Sequence, residues 1–129
     1  MATIFSRIIQ GEIPCYKIAE NDKFFAFLDI NPLSKGHTLV VPKHETDYIF
    51  NLEDEELGEM MVFAKQVARK IEKAIPCKRI AVAVIGLEVP HAHIHLVPIT
   101  CEGDLDFKKE HVKLTQEEFL EIQKAITEA

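Results

Sequence analysis

Seven consecutive residues, His91-Ala92-His93-Ile94-His95-Leu96-Val97, place three imidazoles at alternate positions. In a β-strand successive side chains point to opposite faces, so the rings share one face while Ala92, Ile94 and Leu96 share the other. Histidine is neither a strong strand former nor a preferred core residue, and three exposed rings in a row have no evident folding role. Two chemistries use several imidazoles on one surface. A metal such as zinc takes three neutral rings and keeps a position open for water. Alternatively, one ring attacks phosphorus while its neighbours orient it and neutralise the phosphate oxygens. Alternate strand residues lie about 6.5–7 Å apart, too far for three rings to meet one ion without strong twist, yet suited to a central nucleophile with flanking helpers. The spacing favours phosphoryl chemistry and leaves the metal open.

The elements that must position these rings follow from period and punctuation. Ile4, Phe5, Ile8 and Ile9 form the apolar stripe of a short helix that Gly11 and Pro14 end. Cys15–Glu20 and Lys23–Leu28 flank Asn21-Asp22 as a hairpin, and His37–Val41 is a β-branched strand stopped by Pro42. Leu57, Met60, Met61, Ala64, Val67, Ala68, Ile71, Ala74 and Ile75 recur at helical period, predicting one long helix capped by Asn51 or Asp54, with both methionines in the core. Strands Arg79–Ile85 and His91–Pro98 follow, then a helix opened by Thr115 and Glu118 as a capping box. Strands interrupted by one long helix indicate α+β, an antiparallel meander sheet of about five strands with helices packed against it.

At 129 residues the chain is expected to be a single domain, 1–129. Its formal charge of −6 argues against broad nucleic-acid binding, which needs a basic surface to displace counterions. No apolar run approaches the ~18 residues that cross a bilayer, and the first residues lack the pattern of a signal peptide. The cysteines Cys15, Cys77 and Cys101 are odd in number and widely spaced, as in a reducing compartment. A cytoplasmic protein without membrane or nucleic-acid partners is expected.

Beyond the triad, Ile4-Phe5, Gly11-Glu12-Ile13-Pro14, Ala26-Phe27-Leu28-Asp29-Ile30-Asn31-Pro32, Gly36-His37-Thr38-Leu39-Val40-Val41-Pro42-Lys43 and His44 occur in an order that, with the triad itself, resembles the histidine triad (HIT) family over about residues 3–99. The length is most similar to the small nucleotide-hydrolase branch typified by Hint. The resemblance implies a HIT-like fold and attack by His93 on the α-phosphorus of a purine nucleoside phosphoramidate or adenylylated substrate, through a covalent nucleotidyl-histidine. It implies that His95 hydrogen-bonds the phosphate or leaving group, that His91 and His44 complete the imidazole cluster, and that Asp29 accepts from the ribose hydroxyls. Ile4, Phe5, Ile13, Phe27 and Ile30 would line the base pocket, and two copies would share one continuous sheet as a homodimer. Read without the resemblance, Asp29 is a turn carboxylate before Asn31-Pro32, the apolar residues are plain core, and His37 and His111 are surface residues.

Two departures matter. Many bacterial relatives open with Cys-x-x-Cys, which with histidines matching His44 and His91 binds a structural zinc; here those positions are Thr3 and Ser6, so no structural metal is expected and no cofactor is implied. The family's longer glycine-bearing loop before the triad, ending in Gly-Gln-Ser or Gly-Gln-Thr, is shortened to Val84-Ile85-Gly86-Leu87-Glu88-Val89-Pro90, with Glu88 in place of the hydroxyl residue. A carboxylate there would repel a phosphate unless turned away, protonated or paired. Two other readings stay open beside the hydrolase: a nucleotide-binding regulatory module with little turnover, and a metal-dependent hydrolase.

Overall fold

The computed structural model describes residues 3–129. Helix α1 (Ile4–Ile9) starts at Thr3, whose hydroxyl accepts from the Ser6 N–H. Strands β1 (Lys17–Glu20) and β2 (Phe24–Leu28) form the expected hairpin. Asn21 shapes its turn, the side-chain oxygen accepting from the N–H groups of Lys23 and Phe24 at 2.9 and 2.8 Å. After β3 (Thr38–Pro42) come the long helix α2 (Asp54–Ala74), strands β4 (Arg79–Ala83) and β5 (Ile94–Ile99), and the C-terminal helix α3 (Gln116–Thr127). Among the described residues no helix is long and apolar enough to cross a membrane.

The five strands form one antiparallel sheet in the order β1-β2-β3-β5-β4, the α+β architecture expected from the sequence. The α2 excursion lets β5 enter between β3 and β4, which sets the histidines beside β3 rather than on an edge. One sheet face, carrying Phe24, Ala26, Leu28, Val40, Ile94 and Leu96, packs against Met60, Phe63, Val67 and Ile71 of α2 and Phe119, Ile122 and Ile126 of α3. Full burial of such side chains contributes roughly 1.5–3 kcal/mol each. The opposite face gathers Phe25, Phe27, Leu39 and Val41 with Phe5 of α1. This second, smaller cluster is the floor beside the imidazoles.

Local details depart from the periodic reading. Neither Asn51 nor Asp54 caps α2: the N-cap is Glu53, without a side-chain bond, while Asp54, Glu55 and Glu56 place negative charge on the helix's positive end. Met60 is buried but Met61 is 45% exposed, because neighbouring positions on a helix point about 100° apart. Thr115 and Glu118 do form the reciprocal capping box of α3. At Gly36, φ is +92°, and an added Cβ would stand 3.0 Å from Ile75 Cγ1 and 3.3 Å from Pro98 Cγ. The turn that delivers His37 therefore calls for glycine.

Candidate active site

The triad is not one continuous strand. β5 begins at Ile94, so His91 and His93 precede it, and all three rings are buried rather than exposed. The alternation still holds where the strand is regular: His95 faces the second cluster's side while Ile94 and Leu96 enter the main core. The lead-in through His91 to His93 is bent by bonds other than the ladder, notably Ala92 N–H to Thr46 O at 2.6 Å.

Each triad ring is oriented by a defined acceptor or donor. His93 Nδ1 lies 2.8 Å from the His91 carbonyl oxygen, which can only accept. Nδ1 therefore carries the proton, and the Nε2 lone pair of the neutral ring is free. Phe5 packs edge-on against this ring at 5.0 Å between centroids. His91 Nε2 donates to the Pro42 carbonyl at 2.8 Å, leaving Nδ1 to accept from the Thr3 hydroxyl at 2.7 Å. Glu45 completes this corner, accepting from the Ser6 hydroxyl at 2.6 Å and the Thr3 N–H at 2.8 Å. The Ser6 hydroxyl bond, then the Thr3 N–H bond, holds the Glu45 carboxyl below its ordinary range. Hydroxyls and a carboxylate thus organise the corner around His91.

The fourth imidazole is His37, not His44. His44 is exposed and turned toward α2, with Nε2 on the Glu56 carboxylate and Nδ1 3.0 Å from the Thr46 hydroxyl. His37, expected at the surface, is buried and places Nε2 3.0 Å from His95 Nδ1. The register explains why: Leu39 pairs with His95, and His37, two residues before Leu39, is the diagonal neighbour of His95 on the same face. The alternation His37-Leu39-Val41 in the sequence carries this signal once β3 is known to lie beside β5.

A chain of bonds then orients His95. The Leu33 N–H donates to His37 Nδ1 at 3.0 Å, so the His37 proton sits on Nε2 and is donated to His95 Nδ1. His95 consequently carries its proton on Nε2. Burial pushes His37 down to about 3 and His95 down to about 4, and the positive charge of neighbouring rings adds to both shifts. Burial also lowers His91 and His93, partly opposed by their bonds to the Pro42 and His91 carbonyls. The four rings are neutral near pH 7.

Asp29 stands 3.6 Å from His37 Nε2 through Oδ2, and its Oδ1 accepts from the Asn31 N–H at 2.8 Å, the turn role anticipated for an isolated aspartate. Burial raises its carboxyl, while the Asn31 N–H and the nearby His111 and His93 pull it down. Asp29, His37 and His95 bring three donor atoms within 4.8 Å of one another, a set able in principle to hold a divalent cation. The hydrogen bonding opposes this use. A metal on His37 Nε2 needs the lone pair of an atom that carries the proton as long as Leu33 donates to Nδ1.

Of the apolar residues, Phe5 and Phe27 are buried and meet edge to face at 5.6 Å, Ile13 is partly buried, and Ile4 and Ile30 are exposed. Glu88 is exposed on the shortened loop and has no hydrogen bond or ion pair with the described residues. The residue that sequence reasoning passed over is Phe107, whose ring meets His95 edge to face at 4.8 Å.

Comparison with known proteins settles the lineage. Residues 10–100 match the HIT domain. The chain belongs to the HIT family. It is 33% identical over 132 residues to an uncharacterized HIT-like protein of Borreliella burgdorferi, covering 96% of this chain and 95% of that one. It is 38% identical over 103 residues to the adenosine 5'-monophosphoramidase hnt1 of Schizosaccharomyces pombe, covering 76% of this chain and 74% of that one. Among solved structures, a hypothetical histidine triad nucleotide-binding protein from Sulfolobus tokodaii superposes with a TM-score of 0.84 at 31% identity, covering 96% of this chain and 89% of that one. A zinc-bound histidine triad protein from Mycobacterium smegmatis gives a TM-score of 0.81 at 27% identity over 99% of this chain and 95% of that one.

Proposed function

We propose that this HIT protein is a nucleotide hydrolase acting at the α-phosphorus of purine nucleoside phosphoramidates or adenylylated substrates, with His93 as nucleophile. One observation carries the reading: His93 presents a bare Nε2 with its proton locked on Nδ1 by the His91 carbonyl, and its ring centroid lies 4.8 Å from that of His95, whose proton is on Nε2. A lone pair and a donor side by side are what displacement at a phosphoramidate requires. His93 Nε2 bonds to phosphorus as the bond to the amine breaks. The departing nitrogen, protonated from solvent before attack, keeps the bonding pair and leaves as the amine, while the His95 Nε2–H donates a hydrogen bond to it. Water then bonds to phosphorus and releases a proton to solvent as the His93–phosphorus bond breaks, giving the nucleoside monophosphate and restoring neutral His93.

In this scheme His91 positions His93 through its carbonyl, and His37 takes the orienting role that the family resemblance assigned to His44. Asp29 retains one oxygen for the ribose hydroxyls, and Phe5, Phe27 and Ile13, with the exposed Ile4 and Ile30 at the rim, offer the base an apolar slot. No metal or cofactor takes part. We also propose a homodimer through β4, one of the two edge strands, where Val82 is half exposed and Val84 and Ile85 just beyond it are exposed as well. The chemistry suits a cytoplasmic single-domain enzyme.

The test is incubation with adenosine 5'-phosphoramidate after exhaustive chelation, following AMP release and, in acid-quenched samples, an adenylyl adduct on His93 by mass spectrometry. Turnover that vanishes with chelation would favour the metal-dependent reading. AMP binding without turnover would leave the regulatory module.

A further inference from the structure

Residues 106–112 have neither helix nor strand, yet they are pinned against the site at both ends. At one end the Phe107 ring meets His95 edge to face at 4.8 Å and His37 at 6.3 Å, the two rings whose mutual bond orients the proposed hydrogen-bond donor to the leaving group. At the other, the Val112 N–H donates to the Pro32 carbonyl at 2.9 Å, in the turn that begins at Asp29. Between them His111 spans two backbone carbonyls, with Nδ1 2.7 Å from Asn31 O and Nε2 3.2 Å from Phe107 O. Carbonyl oxygens can only accept, so the ring N–H bonds one of them, and the imidazole lies between the Phe107 backbone and the Asp29 turn. Among the described residues no other hydrogen bond joins Phe107 to that turn, so this imidazole helps to fix its placement.

We propose that Phe107 is a specificity-determining wall on the leaving-group side of the site, held by His111 as a positioning residue, and that it admits a compact amine while obstructing a bulky one. The proposal rests on the hydrolase reading above, because it takes His95 as the group beside the departing nitrogen. An aromatic ring fixed on one side of His95 subtracts from the space the leaving group must occupy, whereas ammonia or a small amine needs little of it. Partly buried and packed on imidazole rather than on the main core, Phe107 can be truncated with less structural cost than a core phenylalanine.

The experiment compares kcat/KM for adenosine 5'-phosphoramidate with that for the N-benzyl amide of AMP. Phe107→Ala should raise the benzyl-to-unsubstituted ratio about tenfold or more, the scale on which one steric feature of a pocket discriminates. His111→Ala should raise the same ratio by releasing the wall, His111→Gln should restore part of it, and the double variant should go no further than Phe107→Ala alone. Unchanged or falling ratios overturn the proposal, as does full additivity of the two substitutions. Binding keeps it separable from the hydrolase reading. In a His93→Asn background, Phe107→Ala should tighten the benzyl amide at least fivefold while AMP moves within about twofold. If the parent protein turns over neither substrate, the hydrolase reading fails, and equal affinity shifts for both ligands would still overturn the wall.

Discussion

Burying neutral imidazoles makes the fold sensitive to mild acid. His37 and His95 have an ordinary value near 6.5 in the unfolded chain, but burial lowers them to about 3 and about 4 in the folded one. Between those values the unfolded chain binds protons that the folded chain refuses, so stability falls as pH drops through 6.5 and stops falling near the folded values. At pH 5.0 each ring favours the unfolded chain by about 1.5 pH units of binding, about 2 kcal/mol, and at pH 7.5 by almost nothing. Both rings together should cost about 4 kcal/mol over that interval, a large part of a typical 5–15 kcal/mol total. Carboxylates such as Glu45 and Glu118, whose hydrogen bonds hold them below their ordinary range, lose their contribution mainly below pH 4.5. Asp29, raised by burial, contributes with the opposite sign. Urea unfolding at pH 7.5 and 5.0 gives the difference directly, and the His37→Gln/His95→Gln double variant supplies the control. A wild-type loss below about 1 kcal/mol, or the same loss in the double variant, would refute the assignment of buried neutral rings.

His93→Asn should abolish turnover of adenosine 5'-phosphoramidate while calorimetry finds AMP affinity within about tenfold, since the nucleophile is lost and the pocket is not. His95→Ala should slow turnover by ~10²-fold, the loss of one preorganised donor, in a steady-state assay. Glu88→Ser should leave AMP affinity within about twofold, because the exposed carboxylate has no partner among the described residues; a marked gain would place the charge near the phosphate. Gly36→Ala should lower stability by ~1–3 kcal/mol in urea titration, through its φ of +92° and the close approach to Ile75. Light scattering at micromolar concentration should report about twice the 14.7 kDa chain mass, and a monomer would refute pairing through β4.

The amino-acid sequence by itself determined the elements and the chemistry on offer. Hydrophobic period laid out α2, Asn21 the first hairpin, Thr115 and Glu118 the cap of α3, and the H-x-H-x-H spacing the triad, because each is a local property of neighbouring residues. Where a local rule allowed two outcomes, packing chose: Met61 faces water while Met60 fills the core, and Glu53 rather than Asn51 or Asp54 begins α2. Only the tertiary structure decided which imidazoles meet. His37 and His44 stand on either side of β3, and nothing in their own neighbourhoods says that the first turns inward to His95 while the second turns out to Glu56. That choice follows from placing β5 against β3 with Leu39 opposite His95, a pairing across more than fifty residues that no local pattern encodes. The same holds for Phe107, which reaches His95 from a segment without regular structure that His111 and Val112 bond to the Asn31-Pro32 turn.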